Sequence, residues 1–377
     1  MKNPAHILTG LVAALWMFMG TDVMGQGSLT PPGAPGETMK TLAQVEPRTP
    51  ISSLPYTISE PGSYYVTGNL SSTTNGIVIE SSGVTVDLMG FSLRGDGTSS
   101  YPDYDYGIHV ISSTNAVIEN LVVKGGRISG FYGGLYCQSM NNSRIEGLVV
   151  SDNTEHGVSL NDSNSGHCNG NTIADCTISG NGDKGVYLNG REAQCNGNTI
   201  ADCTISDNGN DGVYLFSSKA QCNGNTIADC TISGNGYYGV RLYGGSSSQC
   251  NGNTITDCTI TGNLGRGIEI YGKEGQCSGN TIRENTVSRN VDRGILLSYA
   301  DGNRIEGNNV WGPTGEGSPH GILTASTTSN FILKNTCVGN GTNYSLDSDD
   351  TYGPIVEAVG ELGTADGASH PWANFSR

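Results

Sequence analysis

Apolar residues recur along the middle of the chain in short alternating triplets, separated by glycine, asparagine, aspartate and serine. In the segment 168–194 these triplets are NTI at 171–173, CTI at 176–178 and VYL at 186–188. A period of two places successive side chains on opposite faces of a β-strand, and the segment lacks the 3.6-residue apolar period of an amphipathic helix. The pattern therefore predicts three short strands per segment.

The whole segment returns with only small changes. Copies begin at Cys168, Cys195, Cys222, Cys250 and Cys277, which gives periods of 27, 27, 28 and 27 residues. A period of this size is typical of a solenoid, in which each coil stacks on the next and equivalent residues form columns. Three strands and three turns per period predict an all-β fold, the right-handed parallel β-helix, with coils about 4.8 Å apart.

Several columns follow directly from the repeat. Two are apolar and predicted to be buried, one is an asparagine column predicted to satisfy turn backbone groups, and glycines 170, 180 and 185 are predicted to need positive φ. The columns are Ile173, Ile200, Ile227, Ile255 and Ile282; Ile178, Ile205, Ile232, Ile260 and Val287; and Asn171, Asn198, Asn225, Asn253 and Asn280.

The chain divides into four predicted segments. Residues 1–25 are predicted to be a signal peptide, because Lys2 and His6 precede an apolar run, residues 7–20, that is too short for a transmembrane helix. Residues 26–50 are predicted to form a linker and N-terminal cap, 51–346 the β-helix, and 347–377 a C-terminal cap or tail. We therefore expect an exported protein, secreted, periplasmic or on the cell surface, with no membrane span in its mature form.

Charge limits the partners. The formal net charge of −16 argues against nucleic acid and against an anionic membrane surface. It also disfavours a polyuronate, unless the bases Lys184, Arg241, Arg266 and Arg293 concentrate on one face. The oligomeric state does not follow from these patterns.

The outward positions of the third strand are rich in tyrosine. The outward column is His109, Tyr136, Ser159, Tyr187, Tyr214, Arg241 and Glu269, beside a second column of Asn189, Phe216, Tyr243 and Tyr271. Aromatic rings stack on sugars, so an exposed face of this kind predicts polysaccharide binding; the alternative is that tyrosine merely suits exposed strands. The predicted ligand-binding residues are Tyr136, Tyr187, Tyr214, Phe216, Tyr238, Tyr243 and Tyr271.

The coil, with its Asn-Thr-Ile and Gly-Val-Tyr-Leu motifs, resembles the repeats of pectin-lyase-like β-helix proteins over roughly residues 55–345. The flanking segments, 44–70 and 341–359 with HPWANF at 370–375, resemble a group of exported, uncharacterised bacterial β-helix proteins, and that likeness brings no known activity. The wider superfamily contains pectate lyases, polygalacturonases, uronan epimerases and non-catalytic adhesins and spike proteins. The resemblance therefore implies the fold but does not decide the function.

The catalytic motifs of those enzymes are matched only in part. The segment 155–157, Glu-His-Gly, resembles the histidine segment of polygalacturonases, but no Asp-Asp pair occurs in the coils just before it. The segment 106–109, Tyr-Gly-Ile-His, resembles part of a uronan-epimerase motif without its Asp-Pro, and the arginine motif of pectate lyases is missing.

We therefore expect a non-catalytic protein that binds an extracellular or cell-surface polysaccharide, or that has a structural role in the envelope. The alternative is a polysaccharide lyase or glycoside hydrolase acting on a uronate-containing glycan. Its candidate catalytic residues are His109, His156, Arg241 and Glu269.

No cofactor and no metal site are predicted with any strength. Asp347, Asp349 and Asp350 are candidates for weak Ca²⁺ binding, but the favoured interpretation is a solvated acidic turn. Nine of the eleven cysteines fall in two columns, predicted to be buried ladders of small apolar side chains, with some disulfides left open. These columns are Cys168, Cys195, Cys222, Cys250 and Cys277, and Cys176, Cys203, Cys230 and Cys258.

Overall fold

The computed structural model describes residues 46–98, 104–112, 116–161, 167–191, 194–245, 247–273, 276–312, 319–357 and 365–377. The predicted signal peptide and most of the predicted linker and N-terminal cap lie outside these residues. No α-helix occurs in the described ranges, and no helix there is long and apolar enough to cross a membrane.

The strands stack in parallel, coil upon coil, which confirms the predicted β-helix. One sheet, here called the lateral sheet, contains twelve strands. They are Tyr56–Ile58, Ile77–Ile79, Tyr106–Val110, Gly133–Gln138, Val158–Asn161, Val186–Gly190, Val213–Ser217, Val240–Gly244, Ile268–Gly272, Ile295–Ser298, His320–Ala325 and Thr342–Ser345.

The other two faces of the coil form a continuous 24-stranded sheet. Its first strands are Thr49–Ile51, Gly62–Val66, Leu70–Ser71, Val84–Asp87, Ser92–Arg94, Val122–Ser129 and Arg144–Ser151. In the repeated coils they are Thr172–Ala174, Thr177–Ser179, Thr199–Ala201, Thr204–Ser206, Thr226–Ala228, Thr231–Ser233, Thr254–Thr256, Thr259–Thr261, Thr281–Arg283 and Thr286–Ser288. The last are Arg304–Glu306, Asn309–Trp311, Phe331–Leu333, Thr336–Val338, Thr351–Tyr352, Ile355–Glu357 and Asn374–Ser376, while Ile118–Glu119 and Met140–Asn141 pair separately.

The predicted isoleucine columns form the core. Ile173 pairs in register with Ile200, and Ile178 with Ile205; both columns continue to Ile282 and Val287, and every member is at most 1% exposed. One coil buries too little apolar surface to offset the entropy of ordering its backbone. Stacking supplies the rest, because each side chain also packs on its equivalents above and below.

Buried asparagines run along the stack as amide ladders. In the predicted ladder, the Oδ1 of each asparagine accepts hydrogen bonds from the backbone N–H and the Nδ2 of the asparagine one coil earlier, from Asn171 to Asn330. Two further ladders were not predicted. They are Asn153, Asn181, Asn208, Asn235, Asn263 and Asn290; and Asn285, Asn308, Asn335 and Asn374.

Asp350 ends the first amide ladder. Its Oδ1 accepts hydrogen bonds from the Asn330 N–H and Nδ2 at 3.1 and 2.9 Å, and its Oδ2 accepts one from the Thr327 hydroxyl at 2.8 Å. Asp347 likewise accepts the Thr327 N–H. The idea of a solvated acidic turn is therefore wrong for Asp350, which is 6% exposed, and the carboxylates of Asp347 and Asp350 both accept hydrogen bonds from within the fold.

Glycines serve two different needs. Gly170 and Gly180 have φ of 67° and 65°, as predicted, because L side chains are strained there. Gly185 does not have positive φ, and that prediction is wrong. A Cβ on Gly185 would lie 2.5 Å from Ile205 Cγ2 and 2.7 Å from the Gly212 carbonyl oxygen, so close packing of coils, not backbone conformation, requires glycine there.

All eleven cysteines are buried free thiols. The column from Cys168 to Cys277 is fully buried, and in the second column Cys176 Sγ lies 3.1 Å from the carbonyl oxygen of Ala174. Asn285 continues that second column, because its Oδ1 accepts the N–H of Cys258 at 3.0 Å. The predicted ladders of small buried side chains are confirmed.

Candidate functional site

The outward face of the lateral sheet carries the candidate site. Register pairs His109 with Tyr136, Tyr136 with Ser159 and so on to Glu269, so the predicted column is continuous, although Ser159, Tyr214 and Glu269 within it are buried. The second column, from Asn189 through Phe216 and Tyr243 to Tyr271, is also in register. A third column, formed by the residue before each close-packed glycine, contains His156, Lys184, Asp211, Tyr238, Arg266 and Arg293.

The aromatic rings on this face stack mainly on one another. Tyr187 stacks on Tyr214 with centroids 5.5 Å apart and planes 14° apart, and Tyr243 stacks on Tyr271 at 5.2 Å and 9°. A predicted row of freely exposed rings is wrong for two members: Tyr214 and Tyr238 are 9% and 5% exposed. The other predicted aromatics, Tyr136, Tyr187, Phe216, Tyr243 and Tyr271, are half-buried.

Arg241 sits in an aromatic cage. Its guanidinium carbon lies 5.2 Å from each of the ring centroids of Tyr214, Tyr238 and Tyr243, where the ring faces attract a cation. Its Nε is 2.8 Å from Glu269 Oε2, and Arg266 contacts the other oxygen of Glu269. Glu269 is only 2% exposed, so Arg241, Arg266 and Glu269 form a buried ion-pair network on this face.

The four bases do gather on this face, but each has an acidic partner. Lys184 pairs with Asp183, Arg241 with Glu269, and Arg293 with Asp292, while Arg266 bridges Glu269 and Asp292. These pairs leave the face close to neutral. The condition under which the sequence favoured a polyuronate, an excess of positive charge, is therefore not met.

A second charged cluster lies nearer the N-terminal end of the face. Ligand atoms of Glu155, His156 and Asp183 all lie within 4.8 Å of one another, a spacing that a metal ion can bridge. However, Lys184 Nζ already donates to both Asp183 oxygens, at 3.0 and 2.8 Å, and thus occupies the position that a cation would take. Lys184 therefore competes with any metal ion for the Asp183 carboxylate.

Burial changes the proton affinity of this cluster. The pKa of His156 is lowered to about 4, mainly by burial, so its imidazole is neutral at pH 7. The pKa of Glu155 is raised, first by burial and then by the charge of Asp183, against the lowering effect of a hydrogen bond with the Tyr132 hydroxyl. Burial also raises the pKa of Asp211 to about 6, although its carboxylate accepts the Tyr238 N–H.

The structure separates the four candidate catalytic residues. Arg241 and Glu269 are on neighbouring coils, but His156 shares the coil of Ser159, four coils before Glu269, which is about 19 Å at the usual strand spacing. His109 lies two coils earlier still, against the rings of Tyr106 and Tyr136 at 4.9 and 5.5 Å. They do not form one active site.

Replacing His109 by glutamine is expected to flatten the dependence of stability on pH. Burial lowers the pKa of His109 from 6.5 to about 4, so between those values the unfolded chain takes up a proton that the folded chain does not, and stability falls as the pH falls. Between pH 6.5 and pH 4, the free energy of unfolding should fall by up to about 3 kcal/mol less in the variant than in the wild type. Urea unfolding across this range measures the difference, and parallel pH profiles would contradict it.

Unsatisfied buried polar atoms concentrate on this face. Among the described residues, buried side-chain atoms without a hydrogen-bond partner include Ser159 Oγ, Asn189 Oδ1, Arg293 Nε and His320 Nδ1. All four belong to the lateral sheet or to the turn that enters it. Arg241 Nε and Glu269 Oε2 are also unsatisfied as hydrogen-bonding groups, although they form an ion pair. Such groups are rare in folded proteins, so these atoms need a polar partner, a water molecule or a ligand, to complete their hydrogen bonding.

Sequence analysis missed Glu155 and Asp183. Both belong to a column two residues before the close-packed glycine, in which each N–H donates to the carbonyl of the coil before: Tyr132, Glu155, Asp183, Asn210, Tyr237, Gly265 and Asp292. The repeat period that predicts the tyrosine column also applies two residues before each close-packed glycine. Aligning the coils at that position places Glu155 and Asp183 side by side.

The sequence profile of the family described as "Right handed beta helix region" matches residues 66–255 and 221–357, most of the chain. The chain belongs to this right-handed β-helix family. A search of curated proteins found no match for it.

Solved structures of other β-helix proteins share this fold. The A-modules of the Azotobacter vinelandii mannuronan C-5 epimerases AlgE4 and AlgE6 superpose with TM-scores of 0.63 and 0.61, at 16% and 17% identity, over 81% of this chain and 90% of theirs. The catalytic domain of a GH87 α-1,3-glucanase gives a TM-score of 0.60 at 13% identity, over 81% of this chain and 62% of that one. At such identities the likeness shows the fold alone.

Proposed function

We propose that the outward face of the lateral sheet binds an extracellular or cell-surface polysaccharide, and that its aromatic columns serve binding rather than catalysis. The observation that carries this proposal is the concentration of unsatisfied buried polar atoms among half-buried rings on a single face. Sugar hydroxyls supply the missing hydrogen bonds, and the rings supply apolar contact. The neighbouring structures named as a mannuronan epimerase and an α-1,3-glucanase are consistent with a glycan partner.

The charges favour a neutral glycan over a polyuronate. The whole chain carries a net charge of −16, and the bases on the face are already paired with acids. A polyuronate would meet long-range repulsion and would have to break those pairs to find a counter-charge. We therefore expect α-1,3-glucan to bind more tightly than mannuronan.

The apolar run at residues 7–20 supports export of the protein by a signal peptide, to a secreted, periplasmic or cell-surface location. That location is where such glycans occur.

Replacing Tyr243 or Tyr271 by alanine is expected to weaken glycan binding about tenfold, because each half-buried ring loses its contact with the sugar. A glycan array identifies the hits, and calorimetry on each hit measures the change in affinity. Tyr352→Ala is the matched control, because Tyr352 is 46% exposed but lies outside the lateral sheet. Equal losses in all three variants, or no glycan bound by the wild type, would contradict the proposal and favour a structural role in the envelope.

A further inference from the structure

We propose that Glu155 and Asp183 form an acid and nucleophile pair that hydrolyses a glycosidic bond of a polysaccharide lying on the lateral face, with retention of anomeric configuration. This inference rests on the proposed function, because the substrate reaches the pair only by binding to that face. It extends the proposal, because the aromatic columns alone require no chemistry.

The two carboxyl groups lie closer together than an inverting reaction requires, which favours retention. Glu155 and Asp183 occupy the same column on adjacent coils, and the Asp183 N–H donates to the Glu155 carbonyl at 3.0 Å. Carboxylate oxygens of the two residues come within 4.8 Å of each other. Retaining glycosidases hold their two carboxyl groups about 5–5.5 Å apart, whereas inverting enzymes need about 6.5–9.5 Å to admit a water molecule.

The two carboxyl groups have different surroundings. Glu155 is half-buried and hydrogen-bonded to the Tyr132 hydroxyl, and burial together with the charge of Asp183 favours its protonated form. Asp183 instead accepts two hydrogen bonds from the Lys184 ammonium. Two carboxyl groups in such different surroundings can take the different roles of acid and nucleophile.

A polar ligand is indicated at this place by a separate observation. Ser159, which is 2% exposed, has an Oγ without a hydrogen-bond partner among the described residues. It lies in the outward column between Tyr136 and Tyr187, three residues after His156, whose ring meets that of Tyr187 at 5.0 Å. A sugar hydroxyl beside the pair would satisfy Ser159 while Tyr187 contacts the ring.

The pairing of carboxylates is confined to these two coils within the described part of the column. The positions that follow Asp183 are Asn210, Tyr237 and Gly265, and the next acid, Asp292, neutralises Arg266 and Arg293. Two acids on adjacent coils therefore occur at one place in the described part of this column.

The reaction has two steps. In the first, an Asp183 oxygen attacks the anomeric carbon, the glycosidic C–O bond breaks with its electron pair on the leaving oxygen, and Glu155 gives its proton to that oxygen. In the second, Glu155 takes a proton from water, the water oxygen attacks the anomeric carbon, and the ester bond returns its electron pair to Asp183. The net change is the addition of one water molecule across one glycosidic bond.

The test uses α-1,3-glucan, β-1,3-glucan, dextran and xylan as probes. Wild-type protein should release reducing ends from a bound probe, with the product's anomeric configuration retained when followed by proton NMR. Glu155→Gln and Asp183→Asn should each lower the rate at least 1,000-fold while calorimetric affinity stays within threefold. Asp202→Asn is the control; Asp202 is exposed and lies outside the lateral sheet, at a positive φ that asparagine tolerates, and the rate should not change.

A covalent readout separates chemistry from positioning. With the dinitrophenyl glycoside of the sugar in the bound probe, whose leaving group needs no proton, Glu155→Gln should accumulate a glycosyl adduct on the peptide containing Asp183. Circular dichroism confirms that each variant is folded. Binding without reducing ends, inverted product, or hydrolysis that survives both substitutions would overturn this inference and leave the binding proposal standing. Absence of both binding and hydrolysis would overturn both.

Discussion

Replacing Asn225 by alanine is expected to lower the free energy of unfolding by about 3–6 kcal/mol. The Asn225 Oδ1 accepts hydrogen bonds from the Asn198 N–H and Nδ2, at 2.8 and 3.0 Å. Its Nδ2 donates to the Cys195 carbonyl and to Asn253 Oδ1, each at 3.0 Å. Alanine removes all four hydrogen bonds; Asn198 Nδ2 keeps its bond to the Cys168 carbonyl and Asn253 Oδ1 keeps the residue-225 N–H, but the Asn198 N–H and the Cys195 carbonyl lose this partner inside the fold. Each buried group left unpaired costs about 1–3 kcal/mol.

Urea unfolding followed by far-UV circular dichroism measures the loss. Asn309→Ala is the control, because Asn309 is an exposed asparagine on a strand of the same stack, and we expect a change below about 0.5 kcal/mol there. A small loss for Asn225→Ala, close to that of the control, would show that water replaces the amide and that the ladder does not bind the coils together.

Replacing Gly212 by alanine is expected to destabilise the protein by about 3 kcal/mol or more. An alanine Cβ would lie 2.6 Å from Ile232 Cγ2, 2.7 Å from the Gly239 carbonyl oxygen and 2.8 Å from Asn235 Nδ2. The Gly239 carbonyl and the Asn235 amide cannot move away independently, because both are hydrogen-bonded or packed within the stack of coils. The coils must therefore move apart and lose strand hydrogen bonds.

Two other glycines calibrate this effect in the same unfolding assay. Gly68 has open space where a Cβ would lie and no positive φ, so alanine there should be nearly neutral. Gly224 also has open space but a φ of 64°, so alanine should cost about 1–2 kcal/mol of backbone strain. If Gly212→Ala cost no more than Gly224→Ala, close approach between coils would not be the reason for glycine at 212.

The features that could be predicted from the sequence are those that recur with a constant period. The isoleucine columns, the first asparagine ladder and the cysteine columns were predicted because identical residues recur every 27 or 28 positions. The end of that ladder at Asp350 was not predicted, because aspartate replaces the repeated asparagine there. Its Oδ1 nevertheless accepts the same two hydrogen bonds, from the N–H and the Nδ2 of Asn330, that an asparagine Oδ1 accepts elsewhere in the ladder. The hydrogen bonds of Asp350 depend on the path of the chain after the repeated coils end, and the repeat alone does not specify that path.

The site was predicted less well, because a column position does not determine exposure. Tyr214 and Tyr187 occupy equivalent positions, yet Tyr214 is buried, at 9% exposed, and the Arg241 guanidinium lies over its ring. Likewise, Arg241 and Glu269 were chosen singly as catalytic candidates, although one coil of separation lets them neutralise each other. In both cases, contacts with side chains on the neighbouring coil determine the exposure or the charge state of the pair, and a column position alone does not reveal those contacts.

The constant register also means that whole coils can be removed or added without disturbing the pairing of the others. Deleting residues 195–221 would join Gln194 to Cys222, and every column would close on its equivalent, Ile173 on Ile227 and Tyr187 on Arg241. The rod would shorten by about 4.8 Å, one strand spacing, without a new kind of contact. Gain or loss of whole coils thus changes the reach of the lateral face along a polymer in fixed steps, and leaves the Glu155–Asp183 pair in place.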